Sequence, residues 1–254
     1  MTSIPGAVAY SQDGTGAAAR TGVLLSHGFT GSPVSVRAWA EHLAGQGFSV
    51  RLPLLPGHGT SWEELARTPW RAWYGEYEEA YEDLARSTDR IVAAGLSMGG
   101  ALALRLAAQH DVAGVVVVNP GLTFADPRAR YAGLLKYVMR SVPAIGNSIR
   151  LEGQDEGAYL RTPVAVVHQL AGLFRDTMAL LPRITAPTLV FRSDIDPVVP
   201  ETSIEVLRRH LGSADLEIIR LTNSYHVATM DHDAPFIFDR SADFIRHVSA
   251  GTSV

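Results

Sequence analysis

The sequence predicts an α/β domain, a mostly parallel sheet with helices on both faces. Three observations carry this. Short apolar runs alternate with longer stretches of helical periodicity. The runs are continuous rather than alternating polar and apolar, as in Val112 to Val118 with its four consecutive valines, which suits strands buried on both faces. The connections between them are short. A chain of 254 residues fits one large α/β domain. With 46% hydrophobic and 19% charged residues, it has enough apolar material for a large core and too little charge for a disordered chain.

The elements follow in order. Val23-Leu24-Leu25 is a buried-strand run. Ser32-Pro33 offers a cap followed by proline at the first helical position, predicting a helix to about Ala44. Phe48 to Leu52 reads as a strand. Ser61 with Glu64 three residues on makes a capping box, and Thr68-Pro69 starts a further helix. Arg90 to Ala94 is a strand, Ser97 to Gln109 a helix and Val112 to Val118 a strand. After a long interruption the pattern returns: strand Thr188 to Phe191, helix Glu201 to Leu211, strand Leu216 to Leu221 and a closing helix Ala234 to Val248.

The interruption runs from Pro120 to about Pro187, with no strand signal. Within it Tyr131, Leu134, Leu135, Val138, Met139 and Val142 recur at the spacing of one helical face, with Asp126-Pro127 as the start. Thr162-Pro163 opens a second helix to about Leu180. The division predicted is a core of residues 1–120 and 163–254 and a cap insertion of residues 121–162. The polar face of the 127–142 helix carries Arg128, Arg130, Lys136 and Arg140, either as an ordinary solvated face or as a transient contact with an anionic lipid surface.

Composition excludes several classes. The 22 basic and 26 acidic side chains give a net charge of −4, without the basic excess that gripping nucleic acid needs, so no nucleic-acid partner is expected. Cysteine is absent, which removes disulfides, thiolate metal sites and cysteine nucleophiles. The first sixteen residues have no early basic residue and no apolar run of signal-peptide length, and no run approaches the length of a membrane span. The expectation is a soluble, cytoplasmic protein.

The chemistry is carried by turns at strand ends. Gly95-Leu96-Ser97-Met98-Gly99 follows a strand and opens a helix, the pattern of a tight nucleophile elbow. A serine hydroxyl needs a base. Of nine histidines, His42, His110, His168, His210 and His247 fall in or at the ends of predicted helices. His27 and His58 sit in glycine-containing turns, and His232, between Asp231 and Asp233, suggests a solvated loop. His226, just after the last strand, is the candidate base. The base needs an acid to fix its tautomer. In Ser193-Asp194-Ile195-Asp196-Pro197 two carboxylates compete: Asp196, extended before proline, is the candidate acid, and Asp194 is left to brace the loop. The oxyanion donors expected are the backbone N–H groups of Met98 and of Phe29, the latter in His27-Gly28-Phe29-Thr30-Gly31. The aromatic group Trp62, Trp70, Trp73, Tyr74 and Tyr77 reads as packing.

Together with Pro56-Gly57-His58-Gly59, Asp196-Pro197-Val198-Val199-Pro200 and Ser224-Tyr225-His226-Val227, these motifs resemble, in order and spacing over nearly the whole chain, the α/β-hydrolase carboxylesterases. The similarity is greatest to the small bacterial carboxylesterase and monoacylglycerol lipase group with a short cap. Tyr225 stands where that group often has glycine. The resemblance implies an α/β-hydrolase fold with a small inserted cap, and serine hydrolysis of medium-length acyl monoesters such as monoacylglycerols, with no metal or organic cofactor. It also implies substrate-binding roles for the cap residues Glu156 and Ile145. The partner expected is a small-molecule or lipid ester. The rivals are other chemistry on the same fold (carbon–carbon hydrolysis, acyl transfer, thioester or peptide cleavage) and a non-catalytic ligand-binding module. Dehalogenase or epoxide-hydrolase chemistry would place Asp where Ser97 stands.

Overall fold

The computed structural model describes residues 4–144 and 146–250. In chain order the strands and helices begin with β1 (Tyr10–Gln12), β2 (Thr21–Ser26), α1 (Arg37–Gly45), β3 (Ser49–Leu52), α2 (Trp62–Leu65) and α3 (Trp70–Ala85). They continue with β4 (Arg90–Leu96), α4 (Met98–Ala107), β5 (Gly114–Val118), α5 (Ala132–Leu135), β6 (Ser141–Pro143), β7 (Arg161–Pro163) and α6 (Val164–Leu180). They end with β8 (Thr188–Ser193), α7 (Thr202–His210), β9 (Leu216–Leu221) and α8 (Ala234–Ser249). Among the described residues the main sheet has seven strands in the order β1-β3-β2-β4-β5-β8-β9. All its pairings are parallel except β1 with β3, where Tyr10 faces Leu52.

The four valines show how the sheet is held. Val115 and Val117 point into one core with Trp73 and Tyr77 of α3, Leu102 and Leu106 of α4 and Leu173 of α6. Val116 and Val118 point into the other, with Trp39 and Leu43 of α1 and Ile237 and Ile245 of α8. All four are fully buried; at roughly 1.5–3 kcal/mol per buried aliphatic side chain this one strand contributes substantially to both layers. Tyr77, inside the first core, keeps its hydroxyl satisfied on the Leu24 and Ala94 carbonyls at 3.0 and 3.2 Å. The stretch Val164–Arg183 is long and apolar enough to cross a membrane by length and composition alone, but it is partly buried here, laying Leu170, Leu173 and Phe174 into the core beside α4.

Most expected elements are present, with shifted ends. Ser32 accepts from the Val34 N–H at the head of a 3-10 turn that runs into α1. Ser61 Oγ accepts from the Glu64 N–H at 3.2 Å, but α2 stops after one turn.

Three features differ from expectation. The edge strand β1 is too short to leave a periodic signal. The stretch thought to lack strands holds the antiparallel pair β6–β7, with Ser141 facing Pro163 and Pro143 facing Arg161. The long helix expected over residues 127–142 is a 3-10 turn, Pro127–Tyr131, followed by the single turn of α5 and then β6. Much of its apolar face is exposed: Leu134 is 73% exposed, Tyr137 80% and Val138 82%, with Leu160 beside β7 at 90%, while Leu135 and Val142 are half-buried and Ala132 is buried. On the polar side Arg128 pairs with Asp126 at 2.7 Å and Lys136 lies over the Tyr137 ring, while the side chain of Arg130 lies outside what is described.

Because the strands are parallel, the loops after β2, β4, β8 and β9 leave one edge of the sheet. The strand order reverses between β2 and β4, and the crevice that forms at such a reversal is where open α/β sheets hold ligands.

Candidate active site

Ser97 sits at that reversal, between β4 and α4, with φ 57° and ψ −117°. Left-handed backbone is unfavourable for a residue with a side chain, by about 1–3 kcal/mol, and persists only where its surroundings enforce it. Here they do. The Ser97 N–H donates to the Val118 carbonyl at 2.9 Å, and its own carbonyl accepts from Gly121 at 3.1 Å. The flanking glycines are sterically required. A Cβ on Gly95 would lie 2.3 Å from the Gly99 carbonyl carbon and oxygen, and one on Gly99 would lie 2.2 Å from the Ser26 carbonyl oxygen. The glycine–x–serine–x–glycine spacing thus lets β2, β4 and α4 converge on one tight turn.

The structure brings His226 and Asp196 together. His226 Nδ1 lies 2.9 Å from Asp196 Oδ2, so the ring donates to the carboxylate and leaves Nε2 as the basic nitrogen. Asp196 Oδ1 accepts from the Val198 and Val199 N–H groups, both at 2.9 Å. Burial pushes the Asp196 carboxyl up, but the charge and N–H of His226 and those two backbone donors outweigh it and hold the group below its ordinary range. Asp194 turns away and takes Arg220 Nε at 2.7 Å. Among the described residues Ser97 makes no direct hydrogen bond to His226; such contacts commonly tighten only when substrate arrives.

Two residues that sequence reasoning missed hold this pair. Asn119, after β5 with φ 44°, donates to Ser193 Oγ at 2.9 Å and to the His226 carbonyl at 2.8 Å, and it accepts from the Ser193 N–H at 2.9 Å. It ties the loop after β8, which carries Asp196, to the loop that carries His226. Arg192 lies beneath Asp196, with Nη1 2.7 Å from Oδ2. A lone arginine in an otherwise apolar strand run was the available signal, since a buried strand position demands a counter-charge.

The loop carrying Phe29 lies directly against the elbow: a Cβ on Gly28 would be 3.5 Å from the Ser97 Cβ. Met98 opens α4, so its N–H is one of those a helix leaves without an internal partner. His27 shapes the loop from behind. Its Nδ1–H donates to the Gly28 carbonyl at 3.0 Å and its Nε2 accepts from the Leu55 N–H at 3.2 Å, a neutral ring. Complete burial lowers its pKa to about 4. His58 packs edge-on against His27, ring centres 5.0 Å apart, and is likewise buried.

Residues 146–160, between β6 and β7, reach both sides of this edge. On the side of the Phe29 loop the Tyr159 N–H donates to the Thr30 carbonyl, and its hydroxyl bridges the Gly57 carbonyl and the Thr60 N–H. On the histidine side the Val227 N–H donates to the Ser148 carbonyl. Asp231, expected in a solvated loop, is instead buried. It accepts four N–H groups, from Arg150, Leu151, Tyr225 and His232, at 2.6 to 2.9 Å. Glu156 is also buried: Oε1 accepts from the Asn147 N–H at 2.7 Å, and Oε2 would lie 3.6 Å from a Cβ on Gly31 of the loop that carries Phe29. Burial raises its pKa, partly offset by the Asn147 N–H and by the charge of His226. Ile145 lies outside the described residues. A cleft of about 520 Å³ is lined by Ile4, Asn147, Asp155, Tyr159 and Leu160 and by none of Ser97, Asp196 and His226. Among the described residues no three His, Asp or Glu side chains form a metal-binding group.

This geometry can be set beside known proteins. The model of a family described as serine aminopeptidase, S33, matches residues 17–233. The chain belongs to that family. Within this α/β-hydrolase family it is similar to lipases and to a carboxylesterase. It is 43% identical over 224 residues to a thermostable monoacylglycerol lipase of Bacillus sp. (strain H-257), covering 88% of this chain and 89% of that protein. It is 26% identical over 224 residues to a carboxylesterase of Bacillus subtilis (strain 168), covering 88% and 91%. A solved structure from work on LipS and LipT, two metagenome-derived lipolytic enzymes, superposes with a TM-score of 0.92 at 38% identity, over 97% of this chain and all of that one. The family member described here is a serine ester hydrolase, and that reading stands over carbon–carbon hydrolysis, acyl transfer and a non-catalytic binding module.

Proposed function

We propose that the enzyme hydrolyses medium-length acyl monoesters, monoacylglycerols among them, through an acyl group carried on Ser97. His226 takes the Ser97 proton as the hydroxyl attacks the ester carbonyl. The N–H groups of Met98 and Phe29 receive the oxyanion, and Asp196 stabilises the imidazolium. His226 returns the proton to the leaving alcohol, then activates the water that releases the acid. The observation that carries this reading is the strained Ser97 elbow on the same sheet edge as the His226–Asp196 pair.

Residues 121–162 serve as the cap, and within it Glu156 binds the alcohol part of the ester. Its Oε1 is fixed by Asn147 and its Oε2 faces the oxyanion loop, which suits a charge-assisted hydrogen bond to a glycerol hydroxyl. Ile145 is assigned to the substrate wall by resemblance alone. The contact with a lipid surface passes through the exposed apolar group Leu134, Tyr137, Val138 and Leu160, not chiefly through basic residues. Liposome co-sedimentation that persists at high salt supports an apolar contact; loss of binding in salt supports a basic one.

The test of function is a substrate panel, p-nitrophenyl esters of rising acyl length beside mono-, di- and triacylglycerols. Monoacylglycerols are expected to be cleaved best among the glycerides, and Ser97→Ala to lower kcat by about 10⁴-fold or more. Preference for triacylglycerols overturns the substrate reading, and a near-wild-type rate in Ser97→Ala overturns the mechanism.

A further inference from the structure

Arg192 is the next-to-last residue of β8, and its side chain is only 3% exposed. Its guanidinium divides its donors three ways: Nη1 to Asp196 Oδ2 at 2.7 Å, Nη2 to the Val199 carbonyl at 2.8 Å and Nε to Glu201 Oε2 at 3.1 Å. One planar group therefore spans the loop from Asp196 to Glu201. The oxygen it holds on Asp196 is the one that accepts from His226. With Oδ1 bound by Val198 and Val199, rotation of the carboxylate would break bonds on both oxygens.

The charges around this group are few. Asp196 faces the imidazole from the β8 loop, and Glu156 acts on it from residues 144–160. Asp196 and Glu201 face Arg192. Behind Glu201, Arg220 binds its second oxygen at 2.9 Å and holds Asp194, but this outer pair is about 40% exposed and screened by water. Arg192 shares the Asp196 oxygen that faces His226, and so holds the aim of the buried carboxylate. Its charge opposes a second positive charge on the ring.

We propose that Arg192 is a positioning residue of the ester-hydrolysing site: it locks the Asp196 carboxylate onto His226, and its charge beside that carboxylate opposes a further positive charge at the site. The inference rests on the roles given above to Ser97, His226 and Asp196. Arg192 lies under the loop and does not touch the ester, so its loss should act on kcat and on the pH profile, with KM within about twofold of wild type.

The experiment is the pH dependence of kcat/KM for p-nitrophenyl butyrate in wild type, Arg192→Met and Arg192→Lys, with melting temperatures alongside. Arg192→Met is expected to move the acid limb up by about one pH unit and to lower plateau kcat by about tenfold. Arg192→Lys keeps the charge but cannot span three acceptors, so its acid limb should return to near wild type while its plateau stays low. An unmoved acid limb in Arg192→Met overturns the proposal, even if the melting temperature falls, because a purely structural arginine gives that result. If Arg192→Met does not fold, Arg192→Lys decides: an undiminished plateau overturns the proposal and a several-fold loss supports it. A wild type with no acid limb, or an active Ser97→Ala, overturns the site assignment itself. A wild-type limb that Arg192→Met leaves in place overturns only the role of Arg192.

Discussion

Asp231→Asn is the most informative single substitution outside the reacting groups. Asp231 has no ion-pair partner among the described residues; its buried carboxylate is held by four N–H donors alone. Oδ2 takes Arg150 and Tyr225, and Oδ1 takes Leu151 and His232. An asparagine amide can offer an oxygen to only one of these pairs and turns an NH₂ group against the other. Two hydrogen bonds to a charged acceptor are lost, at about 1.5–3 kcal/mol each, and two N–H groups then face a donor. The cost is about 3–6 kcal/mol against a total stability of about 5–15 kcal/mol for a typical domain. At roughly 2–4 °C per kcal/mol for a chain of this size, the melting temperature should fall by about 6 °C or more. Because Tyr225 precedes His226 and Arg150 belongs to the segment between β6 and β7, activity should fall with it, by at least about tenfold in kcat/KM. The assays are thermal unfolding and p-nitrophenyl ester hydrolysis, with Asp233→Asn, which gives up a longer bond to the Asn223 N–H, as the milder control. A melting temperature within about 2 °C of wild type and an unchanged rate would refute the reasoning.

Gly99→Ala should abolish fluorophosphonate labelling of Ser97, because its Cβ would strike the Ser26 carbonyl, whereas Gly75→Ala, on the open face of α3, should stabilise by about 0.5–1 kcal/mol in urea unfolding. Acid should weaken the fold. His27 stays neutral when folded, with a pKa of about 4 against an ordinary 6.5, so the unfolded chain takes up the proton first; stability is whole above about pH 6.5 and is lost as pH falls toward 4. Between about pH 7.5 and about pH 5 this one ring accounts for about 2 kcal/mol, His58 acts in the same direction, and equal urea midpoints at the two pH values would contradict it. Glu156→Gln should raise KM for monoacylglycerols by about tenfold and leave p-nitrophenyl esters nearly unaffected; equal losses on both would remove Glu156 from head-group binding.

Much of the fold was legible because it is written locally. The buried valine run, the Thr68-Pro69 and Thr162-Pro163 helix starts and the Ser97 elbow each depend on neighbours in sequence. So does the placement of Asp196 and His226 on one sheet edge, since strand alternation alone sends both loops there. What escaped depends on partners far along the chain. β1 exists by pairing with β3, and β6 by pairing with β7. Asn119, Arg192 and Asp231 matter through bonds to loops that sequence does not place beside them. The 127–142 periodicity misled for a different reason. It reports that apolar residues share a side, not what that side meets, and here Leu134 and Val138 meet the exterior.

The β6–β7 ribbon gives residues 144–160 fixed ends. A loop clamped at its neck can change length and content without tugging on β5 or α6, because the neck absorbs the difference. The clamp sets a tethered insert apart from the sheet edge that carries Ser97, Asp196 and His226. If the insert binds the alcohol part of the ester, as proposed, exchanging it between relatives, cut at Pro143 and Arg161, should change the ester preferred and leave the Ser97 elbow in place.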